Sequence, residues 1–262
     1  MYNIIQYNSH IKNVPENRFH FRSCVREKME MYDYMKTAIK DSYESIRLLR
    51  STSWSRIELI RHKTSGNSYI LREYAGSNNA YAKLSKIHSQ HIPLIYQTAQ
   101  KDEQVLVLEE YIVGDTLQSL LSCGPLDSRQ VRDISSQLCD ALWVLHKLDL
   151  VHRDIKPENV MIRGKDVILI DFDSSRLYNK EKSTDTTILG TVGYAPPEQY
   201  GISQTDPRSD IYSLGVLMNV MLTGVHPSIK MASGRMGIII RRCTMINSRQ
   251  RFDHILQVRA LL

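Results

Sequence analysis

His152-Arg153-Asp154-Ile155-Lys156-Pro157-Glu158-Asn159 is the stretch that decides how this chain is read. An apolar run, Val167-Ile168-Leu169-Ile170, follows and leads into Asp171-Phe172-Asp173. Between them Arg163-Gly164-Lys165-Asp166 reads as the turn of a hairpin. Two carboxylates, an amide, a lysine and an arginine therefore sit on two loops joined by that hairpin. Moving a phosphoryl group needs such a set. One carboxylate takes the proton of the attacking hydroxyl, a carboxylate and an amide hold a metal ion, and a cation balances charge on the group in flight. A bare H-x-D would be weak evidence; the whole octet with a hairpin and D-F behind it is specific.

Composition sets the outer bounds. The chain has 262 residues, enough for one large domain or two lobes around a cleft, with a sizeable core. A net charge of +6 is a mild basic bias, too diffuse to argue for nucleic-acid binding. Cys24, Cys123, Cys139 and Cys243 are scattered, with no C-x-x-C pair, as expected for reduced thiols in a cytoplasmic protein. No apolar run approaches the ~20 residues of a membrane span, and the N-terminus lacks the apolar core of a signal peptide.

The rest of the chain falls into place around the octet. Residues from Met1 to Asn17 carry no periodic signal. Apolar residues at Val25, Met29, Tyr32, Met35 and Ile39 then predict a helix from Arg22 to Lys40, packed on the domain beside it. Short strands at 57–60 and 69–71 flank a turn over 63–67. A short helix over 78–88 and strands over 94–96 and 105–108 follow. Asp127-Ser128 caps a helix whose stripe is Val131, Ile134, Leu138, Ala141, Leu142 and Leu145. The stretch 174–187 is polar and rich in hydroxyls, as a mobile loop would be. Helices are expected from Asp210 to Thr223, over 238–244 and over 252–262.

These motifs resemble those of the eukaryotic-type protein kinases, and most of all the compact Ser/Thr kinases of bacteria, from Tyr43 to the C-terminus. Gly190-Thr191-Val192-Gly193-Tyr194-Ala195-Pro196-Pro197-Glu198 strengthens the likeness. The resemblance implies an α+β fold of two lobes, a small antiparallel β-sheet lobe and a larger, mainly helical one. It places a small lobe at 43–110, a hinge at 110–114 and a large lobe at 115–262, behind an N-terminal extension at 1–42. It implies ATP and magnesium as cofactors and proteins as substrates; the oligomeric state is left open.

Position by position, Asp154 matches the catalytic base and Lys156 the lysine that neutralises the transferred group. Asn159 and Asp171 match the metal ligands. Ile57, Ile70, Arg72, Glu110, Ile112 and Met161 match nucleotide contacts. Thr186, Thr187 and Thr191 fall in the activation segment, where Ser183 and Thr184 are further candidate phosphate acceptors. Asp210 matches the aspartate that holds the catalytic loop, Glu198 and Arg251 a buried ion pair, and Leu84, Ile95, His152 and Phe172 a column of stacked side chains.

The small lobe departs from the pattern. Where the family has a glycine-rich turn, this chain has Arg50-Ser51-Thr52-Ser53-Trp54-Ser55. Arg72 stands for the strand lysine, Ile70 for a small residue above the adenine, Ala80 for the helix glutamate and Asp173 for the glycine of the metal motif. Glu109 precedes the hinge where an apolar residue is usual, unless Glu110 is the aligned position. Arg72 also has a plainer reading, a solvated strand residue. Three functions follow: an active Ser/Thr kinase, favoured by Asp154, Lys156, Asn159 and Asp171; a pseudokinase acting as a regulatory binding module; and a small-molecule phosphotransferase, disfavoured by the segment from Gly190 to Glu198.

Overall fold

The computed structural model of the chain describes residues 30–178, 193–200 and 205–262. The first part of the expected N-terminal helix, and Ser183, Thr184, Thr186, Thr187 and Thr191, lie outside these residues. The first half is a five-stranded antiparallel sheet in the order β1-β2-β3-β5-β4. Its strands are β1 (Tyr43–Ser51), β2 (Ser55–His62), β3 (Ser68–Ala75), β4 (Ile95–Lys101) and β5 (Gln104–Glu110). Helix α1 (Met31–Ser42) precedes them, and α2 (Asn79–Leu84) crosses between β3 and β4.

Alternation explains the sheet. In β3, Ile70, Arg72 and Tyr74 are buried while their neighbours are partly exposed, the period of two that a strand imposes. The register pairs Ile70 with Glu109 and Arg72 with Val107. Helix α1 covers the other face: Tyr32 and Met35 pack with Ile60, Ala99, Leu106 and Leu108 in a small core of their own. At ~1.5–3 kcal/mol per fully buried apolar side chain, that contact holds the helix down. Among the described residues the helix expected over 22–40 begins only at Met31, after Glu30 with an extended backbone (ψ 145°), and continues to Ser42.

The second half is mainly helical. β6 (Asp115–Thr116) and α3 (Leu117–Leu121) lead to α4 (Ser128–Lys147), then β7 (Leu150–Val151), β8 (Val160–Arg163), β9 (Asp166–Leu169) and β10 (Arg176–Leu177). α5 (Pro207–Thr223), α6 (Gly234–Cys243) and α7 (Ile255–Arg259) complete it. Asp127 caps α4 by accepting from the Arg129 and Gln130 amides at 2.8 Å each. The Gln130 side chain returns the bond to the Asp127 amide, closing a capping box. The helix then buries Val131, Ile134, Leu138, Leu142 and Leu145 along one stripe. The turn between β8 and β9 is Gly164-Lys165, with Gly164 at φ 61°. Gly114 is needed at the entry to β6, because a Cβ there would collide with the Ile162 carbonyl. The main core runs unbroken from Tyr74 and Tyr81 to Ile255 and Val258. Leu84, Ile95 and Phe172 belong to it, and the His152 ring meets Phe172 edge-on at 5.3 Å.

Candidate active site

The octet forms the loop between β7 and a 3₁₀ turn at Pro157–Asn159. Its start is fixed from below by Asp210, in the first turn of α5 and fully buried. The Asp210 carboxylate accepts from the His152 amide and the Arg153 amide, each at 2.9 Å, and its Oδ2 lies 2.9 Å from His146 Nε2. Arg153 is left-handed, with φ 71°. A non-glycine residue there costs about 1–3 kcal/mol and persists only where its surroundings enforce it. The paired amide bonds to Asp210 are that enforcement, and Gln199 adds a 2.8 Å bond to the Arg153 carbonyl. His152 accepts from the Asp154 amide through Nδ1, so Nε2 carries the proton donated to the Ile170 carbonyl at 3.1 Å. The octet is thereby tied to the strand that delivers Asp171.

Asp154, Lys156 and Asn159 come together. Lys156 Nζ lies 2.7 Å from Asp154 Oδ2. Asn159 Nδ2 donates to the Asp154 carbonyl at 2.8 Å and to its Oδ2 at 2.9 Å. Asp154 is thus oriented by an amide and a lysine at once while remaining partly open to solvent. The Asn159 carbonyl accepts from the Ile170 amide at 2.9 Å, which joins the two loops one residue before Asp171.

The departures of the small lobe meet at one place. Arg72 is buried, which rules out the solvated-strand reading. Its Nε and Nη2 both donate to Glu109 Oε1, at 3.3 and 3.0 Å. Its Nη1 donates to Asp171 Oδ1 at 3.0 Å and to Asp173 Oδ2 at 3.1 Å. Arg50 reaches the other oxygen of Asp171 at 3.2 Å and stacks on Trp54. Tyr81, next to Ala80 on α2, donates its hydroxyl to Asp173 at 2.9 Å and accepts from the Phe172 amide. Two guanidinium groups therefore face three carboxylates. Burial alone would raise Asp171, but Arg72 and Arg50 outweigh it and hold that carboxyl below its ordinary range. Burial pushes Asp173 up to about 6 against the pull of Arg72, and it also raises Glu109. Asp171, like Arg153, is left-handed, with φ 68°.

The remaining expected residues are dispersed over β2, β3, β8 and the segment after β5. Ile57 and Ile70 are buried on β2 and β3, Ile112 is buried past the end of β5, and Met161 is half-buried on β8. Glu110 turns outward to Arg163 at 2.7 Å and accepts from the Leu94 amide. Glu109, not Glu110, is the inward residue before the hinge. Ala80 is buried and offers no carboxylate. The tip between β1 and β2 is a tight turn closed by Thr52, whose amide bonds the Ser55 carbonyl at 2.8 Å and whose hydroxyl accepts from the Ser55 amide. Glu198 and Arg251 form the expected pair, with Arg251 Nη2 2.9 Å from Oε2. Sequence reasoning missed Tyr81 and the Arg72–Glu109 contact; the only available signal was that lysine, glutamate and glycine were all replaced together.

Residues 60–257, well over half of the chain, match the family described as protein kinase domain. Among the most similar curated proteins is the serine/threonine-protein kinase PknA of Nostoc sp., 36% identical over 53% of this chain and 26% of that protein. The serine/threonine-protein kinase PknL of Mycobacterium tuberculosis is 33% identical over 65% of this chain and 43% of its own length. The Aurora kinase of Candida glabrata is 31% identical over 78% of this chain and 61% of that protein. The alignments thus span less than two thirds of each of these relatives. Among the described residues no helix is long and apolar enough to cross a membrane.

Proposed function

Because this chain belongs to the protein kinase family, we propose that it is a protein serine/threonine kinase that transfers the γ-phosphate of ATP to hydroxyls of proteins. The observation that carries the reading is the meeting of Lys156 and Asn159 on the Asp154 carboxylate, each within hydrogen-bond distance of it. Asp154 accepts the proton of the substrate hydroxyl. Lys156, already 2.7 Å from that carboxylate, neutralises the phosphoryl group as it passes. Asn159 holds Asp154 through one bond to its carboxylate and one to its backbone carbonyl, which supports the positioning on which this reaction depends.

The residues fit a divalent cation of the magnesium class. Asn159 spends its Nδ2 on Asp154, leaving Oδ1 as an acceptor. Each Asp171 oxygen keeps a second lone pair beside its arginine. Among the described residues no cluster of three or more acidic, His or Cys side chains forms a metal cage. Magnesium commonly takes one or two carboxylates and fills the rest of its shell with phosphate and water. When bound, it would screen the phosphates and tie them to Asn159 and Asp171. Ile57, Ile70, Ile112 and Met161 line the nucleotide's apolar slot in this reading, with Arg72 facing its phosphates and Glu110 at the hinge. We place autophosphorylation on Ser183, Thr184, Thr186 or Thr187, in the sequence segment that also holds Thr191, and the protein in the cytoplasm. The test is incubation of the purified chain with ATP and magnesium, with phosphosites mapped by mass spectrometry.

A further inference from the structure

We propose that Glu109 is the positioning residue for Arg72, a role that falls to β5 because α2 offers only Ala80 at the position where its family carries a glutamate. The proposal rests on the kinase reading above. The guanidinium has two working edges here. One edge, Nε and Nη2, is anchored on a single oxygen of Glu109. The other, Nη1, points at Asp171 and Asp173, where a nucleotide's phosphates must come if Asp171 helps to hold them. Glu109 sits two register steps along β5 from the residue opposite Arg72, so both side chains project from the same face of the sheet. An anchored edge sets the direction of the other, whose two Nη1 hydrogens are given to Asp171 and Asp173; a planar fork tied at one side loses little further freedom in what it holds at the other.

Stability alone does not account for Glu109. Its Oε2 is buried with no hydrogen-bond partner among the described residues, a costly state for a carboxylate oxygen. Without Glu109, Arg72 still contacts Asp171 and Asp173, and two guanidinium groups would face two carboxylates. An apolar residue at 109 would leave the Arg72 charge compensated by Asp171 and Asp173, so the cost is confined to the lost acceptor of Nε and Nη2. Orientation of Arg72, rather than the fold, is what its removal forfeits.

The experiment compares wild type with Glu109→Gln, Glu109→Met and Glu109→Asp. ATP affinity is read by calorimetry, KM and kcat by phosphate transfer, and folding by thermal melting. The Met variant is expected to bind ATP about tenfold or more weaker, the weight of one well-placed bond to a charged group; Gln, whose amide oxygen can still accept from Nε and Nη2, should fall between Met and wild type. KM should rise more than kcat falls, melting of the Met variant should fall by no more than ~2–12 °C, and Asp should recover part of the affinity. Unchanged or tighter ATP binding in Met overturns the proposal. So does a collapse in melting temperature with kcat and KM lost together, which would make Glu109 merely structural. A wild type that binds ATP but transfers nothing, with affinity still lost in the variants, defeats the kinase reading and leaves this one standing. A wild type that binds no ATP defeats both.

Discussion

Replacing Asp210 with asparagine probes the support beneath the catalytic loop. The side chain keeps its shape, so packing is unchanged. The carboxylate accepts the His152 amide through Oδ2 and the Arg153 amide through Oδ1. Asparagine has one acceptor oxygen, so its NH₂ must face one of those two N–H groups. One bond to a charged group is lost, at ~1.5–3 kcal/mol, and a buried donor is left unmet at ~1–3 kcal/mol. The expected loss is about 2.5–6 kcal/mol. A domain of this size loses ~2–4 °C per kcal/mol, so melting should fall by ~5–24 °C. Arg153 would also lose part of what holds it left-handed, and Asp154 would drift. Displacements near 1 Å at a reacting group can cost ~10²-fold in rate. The assay is a melting scan paired with phosphate transfer at a temperature where the variant remains folded. A variant that melts within ~2 °C of wild type and transfers at the wild-type rate would refute the claim that Asp210 positions the loop.

Other expectations follow from the same structure. Arg251→Met should cost about 3–5 kcal/mol, because Glu198 is left buried without its partner; adding Glu198→Gln should recover much of that loss, and strictly additive effects in chemical denaturation would count against the pairing. Saturating ATP at a hundredfold excess over its dissociation constant would add ~2.7 kcal/mol; with a tight Thr52 turn in place of a glycine loop, millimolar ATP with magnesium should raise melting by only a few degrees, most of it lost on chelation. Burial pushes the Cys243 thiol up to about 12 and raises Cys139 as well, so an alkylating reagent at neutral pH should label exposed Cys123 and spare these two; rapid native labelling of Cys243, read by peptide mapping, would contradict its burial.

The legible part of this protein lay in local spacing. The octet, the Gly164 turn and the strand into Asp171 are contiguous, so the β8–β9 hairpin and the Asp154–Asn159 grouping could be foreseen. The stripe and cap of α4 could be read because a helix repeats its buried positions within a few residues. Asp210 and the Glu198–Arg251 pair came from position relative to known motifs, not from spacing. Arg72, Glu109 and Asp173 were each read separately as departures and Tyr81 was missed, because their contacts join residues 37 to 101 positions apart and no periodicity links them. Whether Glu109 or Glu110 points inward depended on strand register, where one step reverses every side chain. The left-handed Arg153 and Asp171 carry no sequence mark, since neither residue is a glycine.

The central claim is that Asp154 serves phosphate transfer to protein hydroxyls. It is tested most directly by incubating wild type and Asp154→Asn with ATP, magnesium and a generic protein substrate, and counting phosphate by mass spectrometry. The expected result is transfer by wild type, including to its own Ser or Thr residues, and a loss of ~10²–10⁴-fold in a variant that remains folded. Equal incorporation by the two proteins, or none by wild type at saturating nucleotide, would contradict it.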